Sequence, residues 1–455
     1  MAIAMFALVF MFLLAGYPVA LTLAGVSLLF ALFGSLFGVF NLNDFGFIPG
    51  RLFGVVTNQT LIAVPLFVLM GVTLEKSRIA ENLLSSLSQL SGRFPGGLGY
   101  AVIFVGMLMA ASTGIVGATV VTMGLMSLPV MLKSGYDPKI ATGTIAATGT
   151  LGQIIPPSIA LVLLGDVLSN AYQQAQLSQG IFAPKTVSVG DLFAGAIFPG
   201  LLLVLFYFTY LVIVAWRSPH KMPSTTDILS TGEGANFQQI AKGLVAPLVL
   251  IIAVLGSILA GFATPTEAAG VGAIGALLLA GLYGALQRNV LSDIADSTLK
   301  TTSMVFFILI GASLFSLVFR GYGGDDLVAG WFNNMPGGMW GALAIVMLII
   351  FLLGFMLDFI EITFVVIPIV GPALLAMGLD PVWLGILIAV NLQTSFLTPP
   401  FGFALFYLRG VAPPEVKTVD MYRGVVPFIA LQLLLIVLLI IWPALATWLP
   451  EKIYG

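Results

Sequence analysis

The chain has 455 residues, of which 59% are hydrophobic and 8% charged, with a net charge of -2 and a mean hydropathy of +1.11. A water-soluble surface needs about 25% charged residues, so this composition excludes a soluble α/β enzyme and describes an all-α polytopic membrane protein. There is no cysteine and a single histidine, His220 in a polar loop, which removes disulfides, thiolate chemistry and most imidazole chemistry.

Hydrophobic segments fall at 2–15, 17–40, 52–74, 98–132, 137–165, 192–216, 244–260, 264–286, 301–320, 338–377, 380–408 and 425–449. The longer runs reach the roughly 20 residues of a spanning helix and are too long for barrel strands. The apolar start lacks a basic region and a small-residue cleavage signal, so it reads as retained helix. Segments 98–132 and 338–377 exceed one crossing, and each is interrupted near its middle, by Ser112-Thr113-Gly114 and by Asp358 to Glu361. Both are expected to be re-entrant helical hairpins. Irregular backbone at membrane depth survives only under protein or a water-filled cavity, so the tips should face a site. Loops 77–97 and 321–337 beside the hairpins suit interfacial helices anchored by Tyr100, Tyr322, Trp331 and Trp340. The polar stretches 166–191 and 218–243 read as surface loops without a catalytic motif, and no polybasic cluster points to nucleic acid.

One proline-punctuated cassette occurs twice, 243 positions apart. Pro129, Gly135, Asp137-Pro138 and Pro156-Pro157 are matched at identical intervals by Pro372, Gly378, Asp380-Pro381 and Pro399-Pro400. Asp-Pro suits a helix cap followed by a first-turn proline, whereas Pro-Pro inside an apolar segment removes hydrogen bonds and breaks the helix. Corresponding breaks in two halves of a membrane protein mark a transporter's binding region. Lys and Arg accumulate in short cytoplasmic loops. Placing the flanks of the first hairpin inside puts 13 of the 17 basic residues in the cytoplasm and leaves only Arg51, Lys185, Arg320 and Lys452 outside. The second hairpin then enters from the opposite face, which makes the halves inverted-topology repeats. Upstream echoes extend the repeat: Leu66 to Gly71 with Phe306 to Gly311, and Pro18 and Gly25 with Pro265 and Gly272. Residues 1–215 form the first half, with scaffold helices in 1–75 and a hairpin and broken helix in 98–165. A cytoplasmic linker covers 216–243. Residues 244–455 form the second half, with scaffold helices in 244–320, a hairpin and broken helix in 338–408 and a final helix at 425–449.

Small polar residues gather at each break: Thr148, Gly149, Thr150, Gly152 and Gln153 in the first half, Asn391, Gln393, Thr394, Ser395 and Thr398 in the second. Unwound carbonyls with hydroxyl and amide oxygens can replace the water around a hard cation, and helix N-termini ending there favour an anion. The same residues also suit close helix packing. Ser112, Thr113, Gly152, Gln153, Pro156, Asn391, Thr398 and Pro399 are the candidate substrate contacts. Asp358 and Glu361, three apart at the second tip, either serve an ion path or cap the following helix. Glu267 after Pro265 reads as structural. An intramembrane hydrolase lacks a second facing aspartate or a membrane histidine, and an ion channel lacks repeated short filters.

The runs ASTGIVGATVVTMG (111–124), GTIAATGTLGQIIPPS (143–158), GFMLDFIEITFVVIP (354–368) and NLQTSFLTPPFG (391–402) resemble the large membrane subunit of tripartite ATP-independent periplasmic (TRAP) transporters over essentially the whole chain. The resemblance implies an elevator-type ion transporter fold importing an organic acid with sodium, and no enzyme activity or cofactor. It places sodium around Ser112, Gly114, Thr148, Gly149 and Thr150, and around Asp358, Thr394, Ser395 and Thr398. It also implies a bacterial inner-membrane location, a periplasmic substrate-binding protein and a small four-helix membrane subunit. Because the hydrophobic program starts at Met1, that subunit is expected to be a separate chain. Proton coupling and an ion channel are the alternatives.

Overall fold

The computed structural model describes the backbone of residues 1–77, 83–84, 87–88, 91–92, 94–224 and 237–455, and the side chains of these except 112, 113, 237–244 and 333. Among the described residues the fold is helical, without a strand. The first half comprises α1 (Ala2–Leu14), α2 (Val19–Leu36), α3 (Ile48–Val56), α4 (Ala63–Lys76), α5 (Gly97–Thr113), α6 (Val116–Lys133), α7 (Pro138–Thr150), α8 (Ile159–Ser178) and α9 (Val189–Arg217). The second comprises α10 (Phe237–Leu259), α11 (Pro265–Leu282), α12 (Arg288–Gly321), α13 (Gly324–Asn333), α14 (Gly338–Leu353), α15 (Phe359–Val365), α16 (Ile367–Ala376), α17 (Pro381–Leu397), α18 (Phe403–Val411), α19 (Thr418–Ile441) and α20 (Ala444–Tyr454). Among the described residues six helices are long and apolar enough to cross a membrane: α2, α6, α9, α11, α12 and α19. The pair α15 and α16 would make a seventh, bent by 59°.

Local chemistry explains the helix starts. Asp137 and Asp380 each cap a helix whose first residue is proline, accepting from Lys139 N (2.9 Å) and Trp383 N (2.7 Å). Reciprocal capping boxes start α9 (Ser188 with Asp191), α11 (Thr264 with Glu267) and α15 (Asp358 with Glu361). Glu267 thus completes the helix start that its place after Pro265 implied.

The helices pack in two groups. In the first, α2 lies on α12 and α11 lies on α4, so each half lends a helix to the other. Close approach at these crossings uses glycine: a side chain on Gly311 would strike the Ala20 backbone, and one on Gly272 would strike Met70. In the second group α5 to α9 and α14 to α20 enclose α7, α17 and the first turns of α8, which are buried along nearly their whole length. The seam between groups runs where α4 meets α5 and α8, and where α12 meets α15.

Four boundaries differ from the sequence reading. Segment 52–74 splits into α3 and α4, because the Asn58 side chain accepts from Thr60 N (2.9 Å) and Leu61 N (3.4 Å) and turns the chain. Stretch 166–191 is not all loop: α8 continues to Ser178, with Val167, Leu168, Ala171 and Ala175 buried at helical spacing after hydropathy has fallen. Likewise α12 begins at Arg288, well before the apolar run at 301. Segment 425–449 is two helices, since Pro443 follows the last residue of α19 by two and bars its continuation. Within 321–337 the short α13 forms, and Trp331 and Trp340 are exposed. Tyr322 does not reach outward; its hydroxyl donates to Phe30 O (2.5 Å). Residues 78–82, 85–86, 89–90 and 93 of loop 77–97 and residues 225–236 of the expected linker lie outside the described residues.

Candidate functional site

The first hairpin is α5 and α6, turned at Gly114 (φ 61°) and Ile115. The left-handed backbone at Gly114 has little room for a side chain, because a Cβ there would lie 2.9 Å from Ile159 N. Facing the tip is the first break. It comprises a 3-10 turn at Leu151–Gln153, a cis bond between Pro156 and Pro157, and Ser158 as cap of α8. The Ser158 hydroxyl donates to Gly152 O (2.7 Å), which stitches the two sides of the break together. Gly152 lies under the tip: a Cβ on it would be 3.3 Å from Ala110 O and 3.5 Å from Gly114 Cα. Gly114, Gly152 and the N-terminus of α8 therefore meet. Ser112 and Thr113 belong to the last turn of α5, with side chains outside the described residues. Thr148 donates back to Thr144 O (2.5 Å) within α7, and Gly149 packs against Val120 of α6.

The second hairpin, α14 and α15, repeats this arrangement with different chemistry. Its tip runs from Gly354 to Asp358, and Asp358 occupies the cap position that Ile115 holds in the first hairpin, 243 positions earlier. Asp358 Oδ1 accepts from Phe359 N (2.7 Å) and Glu361 Oε2 accepts from Asp358 N (3.1 Å). Ser395, the counterpart of Gly152 at the same offset, again meets the hairpin: its hydroxyl donates to Phe351 O (2.5 Å), and a Cβ on Gly354 would lie 2.6 Å from it. Asn391 donates to Met347 O (2.8 Å), tying α17 to α14. Thr394 and Thr398 donate to Val390 O (2.8 Å) and Thr394 O (2.7 Å), and the break follows, with a cis bond between Pro399 and Pro400 and with Gly402 at φ 38°. Each tip thus lies on the break of its own half.

The halves meet through Thr150 and Gln393, which stand at the repeat offset of 243 and touch each other, Gln393 Nε2 donating to Thr150 Oγ1 (3.3 Å). The sequence reading missed two partners there. Gln432 of α19 donates to the same hydroxyl (3.5 Å) and to Tyr207 Oη of α9 (2.9 Å), all of them fully buried. A lone glutamine in the apolar run 425–449 was the available signal. Tyr207→Phe should cost about 1–3 kcal/mol by stranding the Gln432 amide. Thermal melting in detergent measures this, and an unchanged midpoint would mean that the amide finds another acceptor.

Several buried polar groups here have no hydrogen-bond partner among the described residues: both amide atoms of Gln153, the carbonyl oxygen of the Gln393 side chain and the hydroxyl of Thr363. Such groups cost about 1–3 kcal/mol each unless a ligand or water meets them. Among the described residues no three acidic or histidine side chains form a metal cluster, so a cation would rely on neutral oxygens and Asp358.

Paired hairpins lying on paired broken helices, inside a shell of spanning helices, define a multi-pass membrane protein with a transporter fold. Solved structures share it: the YdaH transporter of Alcanivorax borkumensis (TM-score 0.62, 16% identity, 89% of each chain covered) and MtrF of Neisseria gonorrhoeae (TM-score 0.60, 14% identity, 88% of this chain and 84% of that one). Residues 6–445 match the model of the tripartite ATP-independent periplasmic transporter, DctM component, and the chain belongs to that family as a large permease subunit. Similar relatives include the C4-dicarboxylate large permease of Rhodobacter capsulatus (28% identity, 99% of each chain) and the sialic acid permease of Vibrio cholerae (28%, 97% of each). The ectoine permease of Halomonas elongata is 29% identical over 96% of each chain.

Proposed function

We propose that this chain is the membrane permease of an organic-acid importer that couples uptake to sodium. The two tip-on-break assemblies are the moving unit, and the helices α1, α2, α4 and α10 to α12 are the scaffold against which it slides as an elevator. The partners are a periplasmic substrate-binding protein and a small membrane subunit in the bacterial inner membrane. The names of the relatives, which cover C4-dicarboxylates, sialic acid and ectoine, support an organic acid as cargo. The observation that carries the reading is the pairing of equivalent positions, Gly152 and Ser395, each under a hairpin tip, with Gln153 buried and unpaired beside the first. Carbonyls released at a break suit a hard cation, and the helix N-terminus across it suits a carboxylate.

Uptake into proteoliposomes holding the chain and its small subunit should require the binding protein and an inward sodium gradient. Equal uptake in sodium-free buffer would sink the coupling to sodium, and uptake that follows an imposed proton gradient alone would assign it to protons.

A further inference from the structure

A cavity of about 460 Å³ opens at the seam between the two helix groups, lined by α3, the turn that follows it and α12 on one side and by α8, α15 and α16 on the other. Arg51 and Arg320 both face it, and they are two of the four basic residues that the charge count leaves outside. Exposing cations on that face runs against the positive-inside tendency, so their convergence on one cavity calls for a cause. Arg320 is engaged, with Asp325 (3.2 Å) and Gln174 (2.5 Å). Arg51 makes one hydrogen bond among the described residues, to Ser313 O at 3.5 Å, which leaves most of its five donors without a protein acceptor there. Opposite stands Asp166, held by the Asn58 amide at 2.8 Å.

We propose that this cavity is an external waiting site for the organic acid, with Arg51 as the contact for its carboxylate. The inference rests on the import reading and on the sidedness that goes with it. A planar guanidinium with free donors takes a carboxylate in bidentate fashion. The Asp166 wall repels a second carboxylate and accepts from hydroxyl, amide or ammonium donors, so the site suits an acid whose remainder carries such donors. Both walls belong to different helix groups, so displacement of one group against the other opens or dismantles the site. Asn58 with Asp166, and Arg320 with Gln174, cross this seam.

The absence of native cysteine makes a clean test available. Ser316→Cys puts a single thiol on the cavity wall of the assembled transporter in right-side-out vesicles. A membrane-impermeant maleimide should label it from outside, and ectoine or N-acetylneuraminate at millimolar concentration should slow labelling several-fold, succinate less. Adding Arg51→Gln should raise the half-protecting concentration, measured against that variant's own acid-free labelling rate, by about tenfold or more, the size of a lost charge-assisted hydrogen bond. Arg51→Lys should restore part of the protection. The proposal is overturned if no acid protects, if Arg51→Gln protects as well as the parent, or if reagent reaches the thiol only from the cytoplasmic side. Protection without uptake in the proteoliposome assay would leave the site standing and sink the transport reading.

Discussion

Gly143→Leu should remove folded protein, while Gly256→Leu should keep the fold with a melting temperature equal to the parent's or slightly higher. Gly143 of α7 faces Gly424 of α19 so closely that a Cβ on Gly143 would collide with the Gly424 carbonyl and lie 3.1 Å from the Phe428 ring. The contact is reciprocal, because a Cβ on Gly424 would collide with Lys139 O. Backbone held in two helices has no rotamer to yield, so the crossing must open. Overpacking a well-packed core costs about 1–3 kcal/mol and more where backbone must move, a large share of a stability of about 5–15 kcal/mol. Opening this crossing also draws Thr150 away from Gln432, which breaks the polar junction between the halves. Gly256 of α10 has nothing within 4 Å of its Cβ position, so leucine there only improves helix propensity. Size-exclusion of the detergent-solubilised chain and a thermal melt read both variants. A Gly143→Leu chain that elutes and melts like the parent would show that α7 and α19 do not pack as described.

What the sequence made legible follows from rules that act locally. Asp137-Pro138 and Asp380-Pro381 were readable as caps because an aspartate before a first-turn proline has few other uses, and the Pro-Pro pairs were readable as breaks because proline has no N–H. The offset of 243 tells which positions are equivalent, but equivalence does not say that Thr150 and Gln393 touch. That contact, and the insertion of Gln432 and Tyr207 into it, depend on how α9 and α19 cross the breaks. Hydropathy also misplaced the ends of α8 and α12, since both run on as helices beyond their apolar cores. The cavity between Arg51 and Asp166 was unreadable for the same reason, its walls lying more than a hundred residues apart. Asp358 had two readings, ion ligand or helix cap, and the geometry supplies the cap.

Capping does not exclude ligation, and Asp358→Asn separates the two. Asparagine keeps an oxygen for Phe359 N and so should hold α15 in place, while it removes the charge. Asp358→Ala removes both and should cost about 1 kcal/mol further in stability, visible as a lower melting midpoint. If the carboxylate completes a sodium site with the Ser395 to Thr398 oxygens, its neutralisation forfeits about 3 kcal/mol of charge-assisted binding, roughly a hundredfold in affinity. Uptake at fixed, subsaturating sodium should then fall by a comparable factor, with recovery as sodium is raised. The counterpart of Asp358 in the first hairpin is Ile115, which offers no side-chain oxygen, so if both halves bind sodium they should do so with unequal affinity. On that reading, neutralising Asp358 should lower the steepness of the sodium dependence while a neutral site around Ser112, Gly114 and Thr148 to Thr150 still saturates. An Asp358→Asn chain with the parent's sodium curve would restrict that carboxylate to capping and leave the second site to the hydroxyls of α17.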